Sequence, residues 1–233
     1  MQANACDVLI LAGGRGTRLA AAVPDCPKVL AAVNGRPFLT FLLEALDRAG
    51  LRRAILCTGW QAAQVEQTLG SRYAGISLAY SPEPAPLGTA GALRLALAQV
   101  HAETVLILNG DSFVDVDHGA ALAWFRSTRP RLGLVLAWVP DTRRFGRVET
   151  AGDGIVLRFE EKGGPAAAGY INAGVYLTSA ATLETIPAGV PYSLETQWLP
   201  SFAPGSLRGL PCHGRFIDIG TPASYRAAAE FFR

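Results

Sequence analysis

Charge, histidine and paired cysteine are all scarce in this 233-residue chain. Charged residues make up 17% of it and the net charge is +2, too little to draw it to nucleic acid or to an anionic membrane. Its three histidines, His101, His118 and His213, stand apart, which argues against a histidine-based metal centre. The four cysteines, Cys6, Cys26, Cys57 and Cys212, are scattered with no C-x-x-C pair. Free thiols of a cytoplasmic protein are therefore expected, not a disulfide or zinc framework. No apolar run approaches the roughly 20 residues that cross a bilayer. Met1 to Asp7 is polar, and the apolar run after it is too short for a signal-peptide core. Linkers rich in Gly and Ser, internal repeats and low-complexity segments are missing too, which favours one domain over the two that this length permits.

Half of the residues are hydrophobic, a globular composition. Apolar runs alternate with longer amphipathic stretches. Strands are expected at 8–12, 53–58, 76–80 and 104–108, and helices at 38–48, 61–69, 87–100 and 118–128. This β-α-β-α order implies a largely parallel sheet with helices on both faces. Ligands then gather outside the carboxyl ends of the strands. After residue 128 the pattern changes. Strands are expected at 132–139, 146–150, 155–160, 174–177 and 215–219, with a turn at Asp153-Gly154, a short helix within 193–200 and a closing helix at 222–232. Trp138, Tyr176 and Trp198 read as core aromatics.

The chemistry centres on Leu11-Ala12-Gly13-Gly14-Arg15-Gly16-Thr17-Arg18-Leu19. A buried strand runs into a turn whose glycines allow positive φ and close backbone approach. Successive amides in such a turn make an anion site. Arg15, Arg18 and, ten residues after Arg18, Lys28 add positive charge. A nucleoside triphosphate suits that set. The turn is neither a P-loop, since no Gly-Lys pair occurs, nor a dinucleotide fingerprint, since Leu19 stands at the third glycine position.

The longer pattern resembles the sugar-1-phosphate nucleotidyltransferases. The glycine block is followed by Pro27-Lys28, Gly35-Arg36-Pro37, Pro86-Leu87-Gly88-Thr89-Ala90-Gly91 and Asn109-Gly110-Asp111-Ser112. Phe159-Glu160-Glu161-Lys162, Ile171-Asn172-Ala173-Gly174-Val175-Tyr176 and Phe216-Ile217-Asp218-Ile219-Gly220-Thr221-Pro222 complete the family's order. The one departure is Val29, where a second proline usually follows the lysine. The resemblance implies a single-domain Rossmann-like three-layer α/β fold with a mixed, mostly parallel sheet, the nucleotide-diphospho-sugar transferase type. The nucleotide part would span about 1–118 and the sugar-phosphate part about 119–233.

The resemblance also implies roles. Arg18, Lys28 and Asp111 would be catalytic. Leu11, Ala12, Gly13, Gly14, Gly16, Thr17, Pro86, Gly88 and Thr89 would bind nucleotide. Gly110, Gly146, Glu161, Lys162 and Asn172 would bind the sugar phosphate. Asp111 and Asp218 match the family's Mg²⁺ ligands, and an Asp set between two isoleucines, as Asp218 is, is costly to bury unpaired. Asp115 and Asp117 are nearby alternatives whose alternation reads as a solvated edge. Glu83 carries the base argument: an ionised carboxylate only accepts, guanine offers two adjacent donors, and uracil or thymine offers one donor between two acceptors. The Pro86 block also resembles the guanylyl branch, and the short chain is similar to members that act on a heptose 1-phosphate. Mannose-, glucose- or N-acetylmuramate-1-phosphate, and UTP, stay open, as does a homodimer. A silent regulatory subunit and a dinucleotide-dependent oxidoreductase are the competing readings.

Overall fold

The computed structural model describes residues 6–19, 22–159 and 166–233. The first half winds as expected. Strand β1 (Cys6–Leu11) leads through the glycine loop to a small ribbon, β2 (Ala32–Val33) and β3 (Arg36–Pro37), and into helix α1 (Phe38–Arg48). Strand β4 (Arg53–Thr58), helix α2 (Ala62–Leu69), β5 (Arg72–Tyr73), β6 (Ile76–Pro82), helix α3 (Gly88–Ala96) and β7 (Thr104–Asn109) follow. The helix expected at 87–100 gives way after Ala96 to a 3₁₀ turn, Leu97–Gln99.

The second half begins with β8 (Ser112–Val114), α4 (His118–Thr128) and β9 (Leu132–Val139). A hairpin, β10 (Val148–Thr150) with β11 (Val156–Phe159), then leads to β12 (Gly169–Ser179), α5 (Ala180–Leu183), β13 (Leu207–Cys212), β14 (Phe216–Asp218) and α6 (Pro222–Phe231). Eight strands form one sheet in the order β13-β9-β12-β7-β1-β4-β6-β5, continuous across both halves. The pairings β13/β9, β7/β1, β1/β4 and β4/β6 are parallel; β9/β12, β12/β7 and β6/β5 are antiparallel. The sheet is thus mixed and mostly parallel.

Period-two alternation explains why the central strands are apolar throughout. Val8 and Ile10 enter one core with Leu43, Val65 and Phe125 from the helices on that side. Leu9 between them enters the other core, with Leu93 of α3 and Trp198. Asp7 anchors the start of β1, accepting from Arg53 Nη1 at 2.8 Å and from the amides of His101 at 2.6 Å and Ala102 at 3.0 Å.

Several expectations need correction. Trp138 is half exposed, whereas Tyr176 and Trp198 are buried. The strand expected at 146–150 begins only at Val148, because residues 142–146 turn: the Phe145 and Gly146 amides both donate to the Thr142 carbonyl. The strand expected at 174–177 runs from Gly169 to Ser179, with an irregularity between Asn172 and Tyr176. The segment within 193–200 is a π-turn, Leu194–Trp198, followed by a 3₁₀ turn. Strand β13 was not expected at all. It contains Pro211, which the sheet tolerates at its edge. Glu160, the last residue of an expected strand, lies outside the described residues.

Candidate active site

Four parallel strands end on the same side of the sheet, and each hands a polar segment to one cleft. The glycine loop follows β1, Gly59-Trp60 follows β4, Glu83 follows β6 and Asp111 follows β7. The cleft has a volume of about 1040 Å³. Leu11, Ala12, Gly13, Gly14, Arg15 and Arg18 line it from the glycine loop. Lys28, Glu83, Pro86, Gly88 and Thr89 line it as well. Asp111 at the end of β7 lines it too, and Asn172, Asp218, Arg144, Phe145 and Phe216 complete it from the second half. Gly16, Thr17, Gly110 and Gly146 are not among the described residues that line it. Glu161 and Lys162 lie outside the described residues.

Gly16 and Gly110 work by steric means. Gly16 has a φ of +61° and packs on the Lys28 stem: a Cβ there would lie 3.1 Å from Lys28 Cβ. The Gly110 amide donates to the Leu11 carbonyl at 2.9 Å, so that N–H is already engaged between β7 and β1. Thr89 is engaged as well. Its hydroxyl accepts from the Leu194 amide at 2.8 Å and donates to Glu195 Oε2 at 3.2 Å, so it ties the π-turn to α3 and sets Glu195 in the cleft wall. Asn172 holds the β12 irregularity, with Oδ1 accepting from the Gly174 amide at 3.0 Å and Nδ2 donating to the Tyr176 hydroxyl at 2.7 Å.

Glu83 is half-buried behind the glycine loop. Its Oε2 accepts from the Leu87 amide at 2.6 Å, while Oε1 points to the Gly13 side. Desolvation pushes its pKa up, and the Leu87 amide opposes that shift.

The charged corner is the densest part of the site. Lys28 Nζ pairs with Asp111 Oδ2. Arg144 Nη2 meets Asp218 Oδ1 at 3.0 Å and Oδ2 at 3.2 Å. Strands β8 and β14 pair antiparallel with Ser112 opposite Asp218, and the Ile219 amide donates to the Asp111 carbonyl at 2.9 Å. These bonds bring the two carboxylates to one corner although 107 positions separate them in sequence (218 − 111). A Cβ on Gly220 would lie 2.5 Å from Asp218 Oδ2 and 3.4 Å from Lys28 Nζ, so glycine is what leaves that corner open. Two hard oxygen donors at the edge of this cleft suit Mg²⁺, which takes one or two carboxylates and fills its shell with phosphate oxygens and water. No group of three or more metal-ligating side chains occurs among the described residues. Asp117 is not part of this set: its carboxylate caps α4 at the Ala120 amide. Asp115 lines a separate small cavity beside His118.

Arg144, Trp60 and Glu195 line the cleft and were not singled out from the sequence. Arg144 had a faint signal, a basic residue beside Phe145-Gly146. Trp60 and Glu195 had none, because only tertiary packing turns them inward.

A strand-end cleft with an amide loop, the exposed arginines Arg15 and Arg18 in its lining and two ion-paired carboxylates is suited to a nucleotide. Residues 7–233 match the family described as nucleotidyl transferase, and the chain belongs to that family. It is 36% identical over 225 residues to the D-glycero-alpha-D-manno-heptose 1-phosphate guanylyltransferase of Aneurinibacillus thermoaerophilus, covering 96% of this chain and 97% of the relative. The enzyme of that name from Campylobacter jejuni is 33% identical, over 93% of this chain and 96% of its own. Among solved structures, HddC from Yersinia pseudotuberculosis complexed with GMP-PN superposes with a TM-score of 0.87 at 32% identity, covering 97% of this chain and 99% of that one.

Proposed function

We propose that this chain is a sugar-1-phosphate guanylyltransferase that uses GTP and a D-glycero-α-D-manno-heptose 1-phosphate, with Mg²⁺ held by Asp111 and Asp218. The observation that carries the reading is the charged corner: Lys28, Asp111 and Asp218 meet at the mouth of the glycine loop. The names of its near-full-length relatives support the nucleotide and the sugar.

The chemistry is an in-line displacement. An oxygen of the sugar phosphate bonds to the α-phosphorus, the bond from that phosphorus to the bridging oxygen breaks, and pyrophosphate leaves. The nucleophile is already ionised, so no general base is required. Positioning and charge neutralisation then supply the catalysis. Loop amides at Gly13 and Gly14 cradle the phosphates, and Arg18 holds them by its planar fork. Lys28, released from Asp111, neutralises charge that develops at the α-phosphate. When bound, Mg²⁺ supplies further neutralisation of the phosphate oxygens. Glu161 and Lys162 take the acceptor, as the family resemblance implies. Glu83 receives guanine N1–H and N2–H, with Oε2 already fixed by the Leu87 amide. The product, a GDP-heptose, would serve a bacterial surface polysaccharide.

The test is pyrophosphate release with Mg²⁺, crossing GTP, UTP, dTTP, CTP and ATP with heptose-, mannose-, glucose- and N-acetylmuramate-1-phosphates. Release confined to GTP with heptose 1-phosphate supports the full reading. Release with UTP and another sugar keeps the displacement and removes the role of Glu83. No release with any pair, from protein that binds nucleotide, favours a silent subunit. In Glu83→Gln the preference for GTP over UTP should fall; an unchanged preference removes Glu83 as base selector.

A further inference from the structure

Asp218 carries an unusual partner for a carboxylate that is to receive a divalent cation. Arg144 sits on it through one guanidinium nitrogen, Nη2, not through the two-nitrogen fork that makes arginine–carboxylate pairs firm. The Asp218 side is fixed. Its Oδ2 accepts from the Gly220 amide at 2.8 Å, and its side chain is 18% exposed. Arg144 is more open: its Nη2 also reaches Ser224 Oγ at 3.5 Å and its guanidinium rests over the Phe145 ring at 5.0 Å from the centroid, but its side chain is 48% exposed. A fixed anion whose partner is a half-exposed cation, with Phe145 and Ser224 left to hold that cation elsewhere, is an arrangement that another cation can take over.

The charges of the corner point the same way. Lys28 and Arg144 balance Asp111 and Asp218, so the corner is neutral in the free protein. A divalent cation on the carboxylates displaces both basic groups and leaves them unpaired beside the cleft. Lys28 lines the cleft from the first half of the chain, with Arg15 and Arg18. Arg144 lines it from the second half, with Asn172 and Phe216, and Phe145 beside it packs edge-on against Phe216. A freed Arg144 therefore stays with the half that the resemblance gives to the acceptor.

We propose that Arg144 is a place-holding cation: it neutralises Asp218 in the free protein, yields that carboxylate to the divalent cation, and then anchors the phosphate of the sugar 1-phosphate. This rests on the reading of Asp218 as a metal carboxylate. Arg144 is a positioning residue for the corner and a specificity residue for the acceptor.

The test has two arms. In the first, Mn²⁺ alone is titrated into the full chain and free Mn²⁺ is read by electron paramagnetic resonance, with no nucleotide present. Arg144→Ala should bind Mn²⁺ more tightly by about 2- to 5-fold, the factor that a partly exposed ion pair commands. Arg144→Lys, which keeps the charge, should fall between it and the wild type. Asp218→Asn should bind Mn²⁺ more weakly than the wild type. In the second arm, Arg144→Ala should raise the KM for the sugar 1-phosphate roughly tenfold, one charge-assisted contact, and leave the KM for GTP within about twofold. An Mn²⁺ affinity unchanged or weakened in Arg144→Ala, with Asp218→Asn impaired, overturns the place-holding role alone. Wild-type Mn²⁺ binding in Asp218→Asn overturns the metal reading and the proposal with it. A KM rise for GTP instead of the sugar phosphate overturns the acceptor assignment.

Discussion

Replacing Gly110 with alanine should disable the site without touching any charged group. Gly110 joins the end of β7 to Asp111, and its amide bonds to the Leu11 carbonyl of β1. A Cβ there would lie 2.6 Å from that carbonyl oxygen, 3.0 Å from Val29 Cγ1 and 3.3 Å from Ile10 Cγ2. The nearest of these is backbone, so no side chain can swing aside. The two strand ends must part, and the shift falls on Asp111 from one side and on Val29, next to Lys28, from the other. Overpacking of this kind costs about 1–3 kcal/mol. At roughly 2–4 °C per kcal/mol for a chain of this length, the Tm should drop by about 2–12 °C. Misplacement of catalytic groups by about 1 Å costs roughly 100-fold, so kcat should fall by about 10- to 100-fold. Thermal unfolding and pyrophosphate release at saturating substrates measure the two effects. A variant with a Tm within about 1 °C of the wild type and an unchanged kcat would refute the packing argument.

Other substitutions separate ligand effects from stability. A Cβ on Gly14 meets nothing within 4 Å. Gly14→Ala should therefore keep wild-type stability within about 0.5 kcal/mol and yet bind GTP more weakly, since the proposed phosphate cradle runs along that backbone; unchanged nucleotide affinity by calorimetry would place the triphosphate elsewhere. Asp7→Ala should cost about 3 kcal/mol in urea unfolding, since Arg53 and two amides lose a buried acceptor. Burial alone would raise the Asp7 pKa, but the His101 amide, Arg53 and the Ala102 amide together hold it below the usual value. Its contribution is thus complete above the unfolded value and is lost as pH falls below about 4, a loss that Asp7→Ala should not show. His118 behaves differently. Burial pushes its pKa down to about 4, and its Nδ1 has no partner among the described residues. Between pH 6.5 and 4 the unfolded chain takes up a proton that the folded one refuses, which removes up to about 3 kcal/mol of stability. In His118→Leu that loss should vanish, and a pH slope identical to the wild type would contradict it.

Legibility in the sequence followed periodicity. Helices α1 and α4 and strands β4 and β9 fall at the residues their apolar spacing marks. Strand β12 was read short because the bend at Asn172–Gly174 interrupts its alternation. Strand β13 carries no clear strand signal, since Gly209 and Pro211 interrupt its apolar residues, and the sheet accommodates Pro211 at its edge beside β9. Trp138 was misjudged since an apolar strand does not reveal which of its residues faces outward. In the site, the glycine loop, Lys28, Asp111 and Asp218 were all picked out by residue type and order. Arg144 was not, because its meaning depends on a contact 74 positions away. The packing roles of Gly16 and Gly110 were equally hidden, since a motif does not separate a glycine that touches a ligand from one that touches Leu11 or Lys28.

The fate of the α-phosphorus tests the central claim most directly. GTP radiolabelled at the α-position, and separately at the γ-position, is incubated with the protein, heptose 1-phosphate and Mg²⁺, and the products are separated. The displacement predicts α-label in the nucleotide sugar and γ-label in pyrophosphate, with neither in the other. Alpha-label in free GMP or GDP, or γ-label on the sugar, would contradict it.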